Sequence, residues 1–272
     1  MRIIDKITLE GVGLHTGKTC RLEIEPFDTD EVMMSCGKSE ALISRMKTRG
    51  TNRGSDYIFP DGNEIRTCEH VLSSLTGLGI FSGVRVKVDG GEMPAFDGCA
   101  WTLSREIIAH SDDTVTKAPT VINSPVIVSN EDRTRFIAAF PSDTLHITYT
   151  VEYDYIGTQI YDYTHNAKNY VDEISRARTF AMKSDIDYLR SHGMALGGSL
   201  DNAIAVGETI EAKGGLHWEN EFVRHKVLDL IGDLASLGKP VNAHIVAVRA
   251  GHELHLKLAE KLKEETIKNG RD

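Results

Sequence analysis

Two stretches of this 272-residue chain follow one plan, and that repetition constrains the fold more than any other feature. His70 stands seven residues before Gly77 in a helix-like segment, and the alternating stretch Gly83–Val88 follows it. His225 stands seven residues before Gly232 in a second helix-like segment, and the stretch Ala243–Arg249 follows that one. A helix-then-strand unit used twice, with its histidine at the same place, predicts two similar α+β halves that face each other. Each half would supply one imidazole. The polar run Ser111–Pro119 is the best linker between them, which divides the chain into domains at 1–117 and 118–272.

The second unit carries the sharper chemistry. Its helix, expected over Glu221–Leu237, has Val227, Leu228, Leu230, Ile231 and Leu234 at apolar-periodic positions. His225 and Asp229 are four apart and share a helix face. Alone, such a pair more often makes a surface hydrogen bond, and Glu69-His70 alone is a common helix start. Together they meet an inventory: two neutral imidazoles and a carboxylate fill three positions of a four-coordinate Zn²⁺ and leave one for water. Bound zinc brings the pKa of that water from 15.7 to about 7. Glu69 is then available as a base, and His252 as an acid if Asp233 holds its imidazolium form. These are the parts for hydrolysing an amide or an ester.

Other elements read less clearly. Thr67 is a plausible N-cap for a helix over about Cys68–Leu75, closed by Gly77 and Gly79. A second helix is expected from Trp101 to His110. Strands are expected at Cys20–Glu25, Val121–Ser129, Thr134–Phe140 and Leu145–Tyr153, with helical stretches near Tyr170–Arg176 and Ser184–Ser191. A short strand follows at Ala203–Val206, and His252 opens a last amphipathic helix that ends near Asn269.

Composition removes several functions. A net charge of −9 argues against a nucleic-acid partner, which selects a basic face. No apolar run approaches the roughly 20 residues of a membrane span, and the N-terminus lacks a secretory core. The four cysteines show no CxxC spacing and read as reduced thiols of a cytoplasmic protein. A monomer is expected.

Seven motifs in order then resemble one family: Glu10–Gly17 (EGVGLHTG), Thr67–His70 (TCEH), Phe96–Gly98 (FDG), Ser175–Phe180 (SRARTF), Leu196–Ser199 (LGGS), Val223–Leu234 (VRHKVLDLIGDL) and Gly251–His252. The chain resembles the UDP-3-O-acyl-N-acetylglucosamine deacetylases, zinc amidases of lipid A biosynthesis. The resemblance implies that His70, His225 and Asp229 hold the metal and that Glu69 is the base. It implies that His252 is catalytic with Asp233 as partner, and that Thr179 assists the oxyanion. Lys226 is similar to a lysine on the substrate's polar part, and Phe180 to an aromatic in its cleft. Arg135, Tyr153 and Arg249 look like positions near the nucleotide. The family fold implies two α+β domains with helices sandwiched between the two sheets and the active site between the domains. An insert, here within about Ala181–Leu216, would form an apolar passage for the acyl chain.

The sequence departs from the family pattern at three places. Cys68 stands where an aliphatic residue is common. Arg49, Asn52 and Arg53 make the Met46–Tyr57 loop unusually polar, and Tyr155–Thr164 diverges. Two rival readings remain at this point. A CoA-dependent acyltransferase can use His-x-x-x-Asp without metal, although Glu69-His70 would then have no task. A nucleotide-sugar binding protein without activity is the other.

Overall fold

In a computed structural model of the chain, every residue is described except Asn52, Thr116 and 270–272, with side chains described as far as Glu265. The first sheet is built from β1 (Ile7–Val12), β2 (Thr19–Pro26), β3 (Val32–Cys36), β4 (Ser39–Leu42) and β5 (Val84–Val88), in the spatial order β1-β2-β5-β3-β4. The second contains β6 (Val126–Ser129), β7 (Phe136–Pro141), β8 (His146–Tyr153), β9 (Gly157–Thr164) and β10 (Val241–Val248), in the order β6-β7-β10-β8-β9. The two orders are one topology. In each, the last strand enters the centre, antiparallel to one neighbour and parallel to the other, as Leu22↔Val88 and Val32↔Val84 show in the first sheet. Ala139↔Ile245 and Ile147↔Ile245 repeat the pattern in the second. The repetition expected from two histidine-glycine spacings is therefore present in the backbone.

Strand alternation explains which face each sheet buries. Cys20, Leu22 and Ile24 point inward from β2, and Val241, Ala243, Ile245 and Ala247 from β10, while the intervening residues face outward. Against these faces lie helices α1 (Glu69–Gly77), α2 (Trp101–Ala109), α4 (Glu221–Asp233) and α5 (His252–Asn269); α3 (Lys183–Ser191) belongs to the insert. All nine residues of α1 are buried, so it has no solvent side at all. Such a helix must use small residues where another crosses it. Ser73 Oγ donates to Leu228 O at 2.8 Å, and Thr76 Oγ1 lies 3.1 Å from Ile231 O. At Gly232 on α4 a Cβ would stand only 2.0 Å from the Glu69 carbonyl oxygen. The two histidine helices are thus in backbone contact, and this crossing is the seam between the halves.

The insert has a small core of its own. Phe180–Met182 pairs in parallel with Ile204–Val206, and Ile204, Val206 and Phe222 are buried together under Phe180, Met182 and Leu216.

Several expected elements differ. Thr67 is not the N-cap: it sits at φ 56° with its hydroxyl 3.3 Å from Glu92, and Cys68 is the residue before the helix. Gly77 lies inside α1 rather than beyond it, since the turn is made at Leu78 and Gly79. The stretch Val121–Ser129 is two strands, Thr120–Val121 beside β10 and then β6, because Pro125 interrupts the ladder. Tyr170–Ile174 is a π-helical turn after the short helix Ala167–Asn169. The run Ser111–Pro119 begins as strand, with Ser111 and Asp112 paired to Ile3 and Arg2; Thr116 in it lies outside the described residues. Overlooked altogether were β3, β4, β9 and the three-stranded sheet of Lys47–Gly50, Ser55–Ile58 and Glu64–Ile65.

Candidate metal centre and its clefts

At the seam, α1 contributes its first turn and α4 its middle. His225 Nδ1 lies 3.0 Å from the Ala177 carbonyl, which can only accept, so that nitrogen carries the proton and Nε2 presents a lone pair that can bind a cation. Nε2 faces Asp229 Oδ1 at 3.4 Å, one helical turn on. His70 Nε2 approaches the same oxygen at 3.6 Å from the other half. The donor atoms of His70, His225 and Asp229 all lie within 4.8 Å of one another, and all three residues are buried.

Asp229 supplies the test of whether a cation fits. Its Oδ2 accepts from Lys226 Nζ at 2.7 Å, whereas its Oδ1 is buried without any hydrogen-bond partner. A buried carboxylate oxygen left alone costs about 1–3 kcal/mol or more. The unpartnered oxygen is also the one that both imidazole nitrogens face. Burial pushes the Asp229 carboxyl upward, yet its neighbours His225, Lys226 and His252 outweigh it and hold the group well below the usual carboxylate range. Burial takes His225 down to about 3, against the pull of Asp229, so its imidazole is neutral. An anionic oxygen and two imidazole nitrogens around one point fit a divalent transition metal.

Glu69 stands beside this cluster without joining it. Its Oε2 accepts the Ser55 backbone N–H at 2.8 Å, and Gly54 leaves no room for a side chain, since a Cβ there would be 2.8 Å from Oε1. Burial raises the Glu69 carboxyl, with His252 and His70 pulling the other way. His252 opens α5 with Nε2 3.7 Å from Asp229 Oδ2 and Nδ1 2.9 Å from Asp233 Oδ2. Burial alone would lower its pKa, but Asp233 and then Asp229 raise it to about 9. Asp233 is fully engaged. Ser55 Oγ makes a very short contact to its Oδ1, and His255 Nδ1 lies 2.8 Å from its Oδ2. His255 is itself braced by Tyr149, whose hydroxyl is 2.8 Å from Nε2.

Two adjoining clefts open from these groups. A cavity of about 480 Å³ runs from Glu69, His70, His225 and Asp229 past Thr179 and Phe180 into the apolar side chains Met182, Ile186, Leu189 and Ile204 of the insert. Phe180 sits between Tyr153 and Phe222, with ring centroids 5.2 and 5.1 Å away, and Lys226 Nζ lies 5.7 Å over its face. A second cleft of about 340 Å³ shares Arg53, Tyr153, Lys226 and His252 with the first, and adds Arg135 and Arg249. Every site residue that the family resemblance implies therefore lies at the seam or along one of the two clefts, except Asp233, which stands directly behind His252.

Some expectations need correction or addition. Cys68 packs as a small buried side chain in the core, its thiol 3.5 Å from Ile65 O. Arg49 turns away from the cleft to pair with Asp56 at 2.7 Å, whereas Arg53 reaches Asp185 of α3 at 2.7 Å. Asn52 lies outside the described residues. Ser55, Gly54, His255 and Tyr149 were missed. Only His255 left a trace in the sequence, three residues after His252 on the same face of its helix.

A buried acid held next to imidazoles, at the floor of a cleft with both polar and apolar walls, is the arrangement by which metal-dependent hydrolases activate water. The comparisons narrow that class. Residues 2–264 match the family described as UDP-3-O-acyl N-acetylglycosamine deacetylase, and the chain belongs to that family. It is 36% identical over 266 residues to the UDP-3-O-acyl-N-acetylglucosamine deacetylase of Campylobacter hominis, covering 94% of this chain and 88% of the relative. The Aquifex aeolicus deacetylase of the same name is 36% identical over 264 residues, covering 95% and 90%. That of Syntrophus aciditrophicus is 34% identical over 273 residues, covering 95% and 84%.

Proposed function

We infer that this chain hydrolyses the N-acetyl group of a UDP-linked 3-O-acyl-N-acetylglucosamine, giving the free amine and acetate in lipid A biosynthesis. The observation that carries the reading is the orphaned Asp229 Oδ1 between the nitrogens of His70 and His225. Those three residues would hold Zn²⁺, which when bound polarises a carbonyl and makes its water acidic enough to ionise near neutral pH.

The chain's own groups do the rest. Glu69 Oε2 is tied to the Ser55 N–H, so Oε1 takes the proton from the attacking water. The Thr179 hydroxyl donates to the oxyanion, a contact of the kind worth about 3–4 kcal/mol. His252 Nε2 gives its proton to the departing amine as the C–N bond breaks, while Asp233 holds Nδ1. Lys226, Arg135 and Arg249 offer cations for a diphosphate, and Tyr153 a ring beside them. Phe180 and the apolar half of the larger cavity suit the acyl chain. Anchoring both ends fixes the acetamide between them.

The acyltransferase and silent-binder readings lack comparable support, because they leave Glu69 and the Asp229 oxygen without a task. The residue pairing of 2–3 with 111–112 closes the first half on itself and favours the domain limits 1–117 and 118–272. Among the described residues no helix is long and apolar enough to cross a membrane. The test is Glu69→Gln: acetate release falls by about 10²–10⁴-fold while bound zinc, measured by elemental analysis, is retained. Turnover close to wild type with metal in place would remove Glu69 from the reaction.

A further inference from the structure

The outward face of the second sheet carries a cluster that deacetylation does not use. His146 on β8 and His244 on β10 are direct partners in the parallel register. Asp162 on β9 is opposite Thr148, two residues along the same face of β8. Side chains two apart on a strand share a face, so three neighbouring strands present two imidazoles and a carboxylate to one spot. A chain of hydrogen bonds joins them. Asp162 Oδ1 lies 2.8 Å from His146 Nε2 and accepts from Thr148 Oγ1 at 2.7 Å, and that hydroxyl is 3.0 Å from His244 Nε2. The donor atoms of His146, Asp162 and His244 all fall within 4.8 Å of one another.

We propose that His146, His244 and Asp162 form a second divalent transition-metal site, separate from the seam. Two imidazoles and one carboxylate match zinc, nickel or copper rather than calcium or magnesium, which take oxygen ligands. The rings are stacked, with centroids 4.4 Å apart and 12° between planes. To face a single ion the rings must fan apart. Side-chain exposures of 29% for His146 and 65% for Asp162 leave that movement open on the solvent side, where water completes the coordination. Thr148 would remain as the hydrogen-bonding support of Asp162. Bound there, an ion links the edge strand β9 to the central strand β10 across β8.

The measurement is Ni²⁺ uptake by the enzyme with its own metal retained, read by competition with a chromophoric chelator. Wild type takes up one equivalent more than the double variant His146→Ala/His244→Ala, and Asp162→Asn binds that equivalent more weakly. Deacetylase turnover is the same in all three. Equal Ni²⁺ stoichiometry in wild type and double variant overturns the site. Should the double variant fail to fold, paramagnetic Cu²⁺ on wild type decides: amide signals around residues 146, 162 and 244 broaden if the site exists, and signals at the seam alone broaden if it does not.

Discussion

Gly232→Ala is the sharpest probe of the seam, because two effects of opposite sign compete there. In an isolated helix, Ala is better than Gly by about 1 kcal/mol. At this position, however, the new methyl would lie 2.0 Å from the Glu69 carbonyl oxygen, 2.8 Å from its carbonyl carbon and 3.1 Å from its Cα. Restoring an ordinary contact of 3.4 Å requires α1 and α4 to part by about 1.4 Å. The obstacle is the backbone of a helix buried on all sides, so no side-chain rotation can relieve it. Overpacking of this sort costs about 1–3 kcal/mol, enough to cancel the propensity gain or exceed it. The same displacement moves Glu69 and His70 away from His225 and Asp229. A shift of about 1 Å at reacting groups costs roughly 100-fold in rate. Gly232→Ala should therefore show about 100-fold slower acetate release, weaker metal retention on dialysis and a lowered urea midpoint. An alanine variant that is more stable by about 1 kcal/mol and turns over normally would mean that the helices do not cross as described.

Asp233→Asn keeps the shape behind His252 but removes the charge, so turnover should drop by about 10²–10⁴-fold with metal content unchanged; activity near wild type would make Asp233 a spectator. Arg178 and Glu221 form a buried pair, 7% and 0% exposed with Nε 2.8 Å from Oε1, and Arg178→Met should cost about 3–5 kcal/mol in urea unfolding. Lys168→Ala, at an exposed pair, should leave the urea midpoint essentially unchanged, and equal losses would contradict the burial argument. Burial takes His165 down to about 4 from its ordinary 6.5. Between those values the unfolded chain binds a proton that the folded chain refuses, so stability drops as pH falls from about 6.5 to about 4 and this contribution then levels off. Denaturation at a series of pH values should show a shallower decline for His165→Gln, and an identical slope would sink the assignment.

The site was more legible than the fold around it. His225 and Asp229 are bound to one helix face by the chain itself, and the apolar positions around them announce the helix. The sheets were harder. β9 runs as Gly157–Thr164 with Ile160 63% exposed, so the inward-apolar alternation that marks a strand is reversed at its most apolar aliphatic position. The strand Ser55–Ile58 buries a serine and an aspartate, because Ser55 serves Glu69 and Asp233 and Asp56 pairs with Arg49. Function written into a strand erases its hydrophobic signature. Thr67 misled for a related reason: a threonine three residues before His70 looks like a cap, but its backbone is turned to φ 56° and its hydroxyl goes to Glu92 instead.

The shared topology lets the two histidine helices be superposed in sequence, with His70 on His225 and Gly77 on Gly232. Ser74 then falls on Asp229, and Glu69 on Arg224. Ser74 spends its hydroxyl on the carbonyls of His70 and Ala100, and Arg224 is occupied with Tyr161 and Glu173. A repeated frame thus holds an unrepeated set of side chains: Glu69 stands on the first helix with no carboxylate in its place on the second, and Asp229 on the second with none on the first. A molecule entering the seam therefore meets different side chains on its two sides.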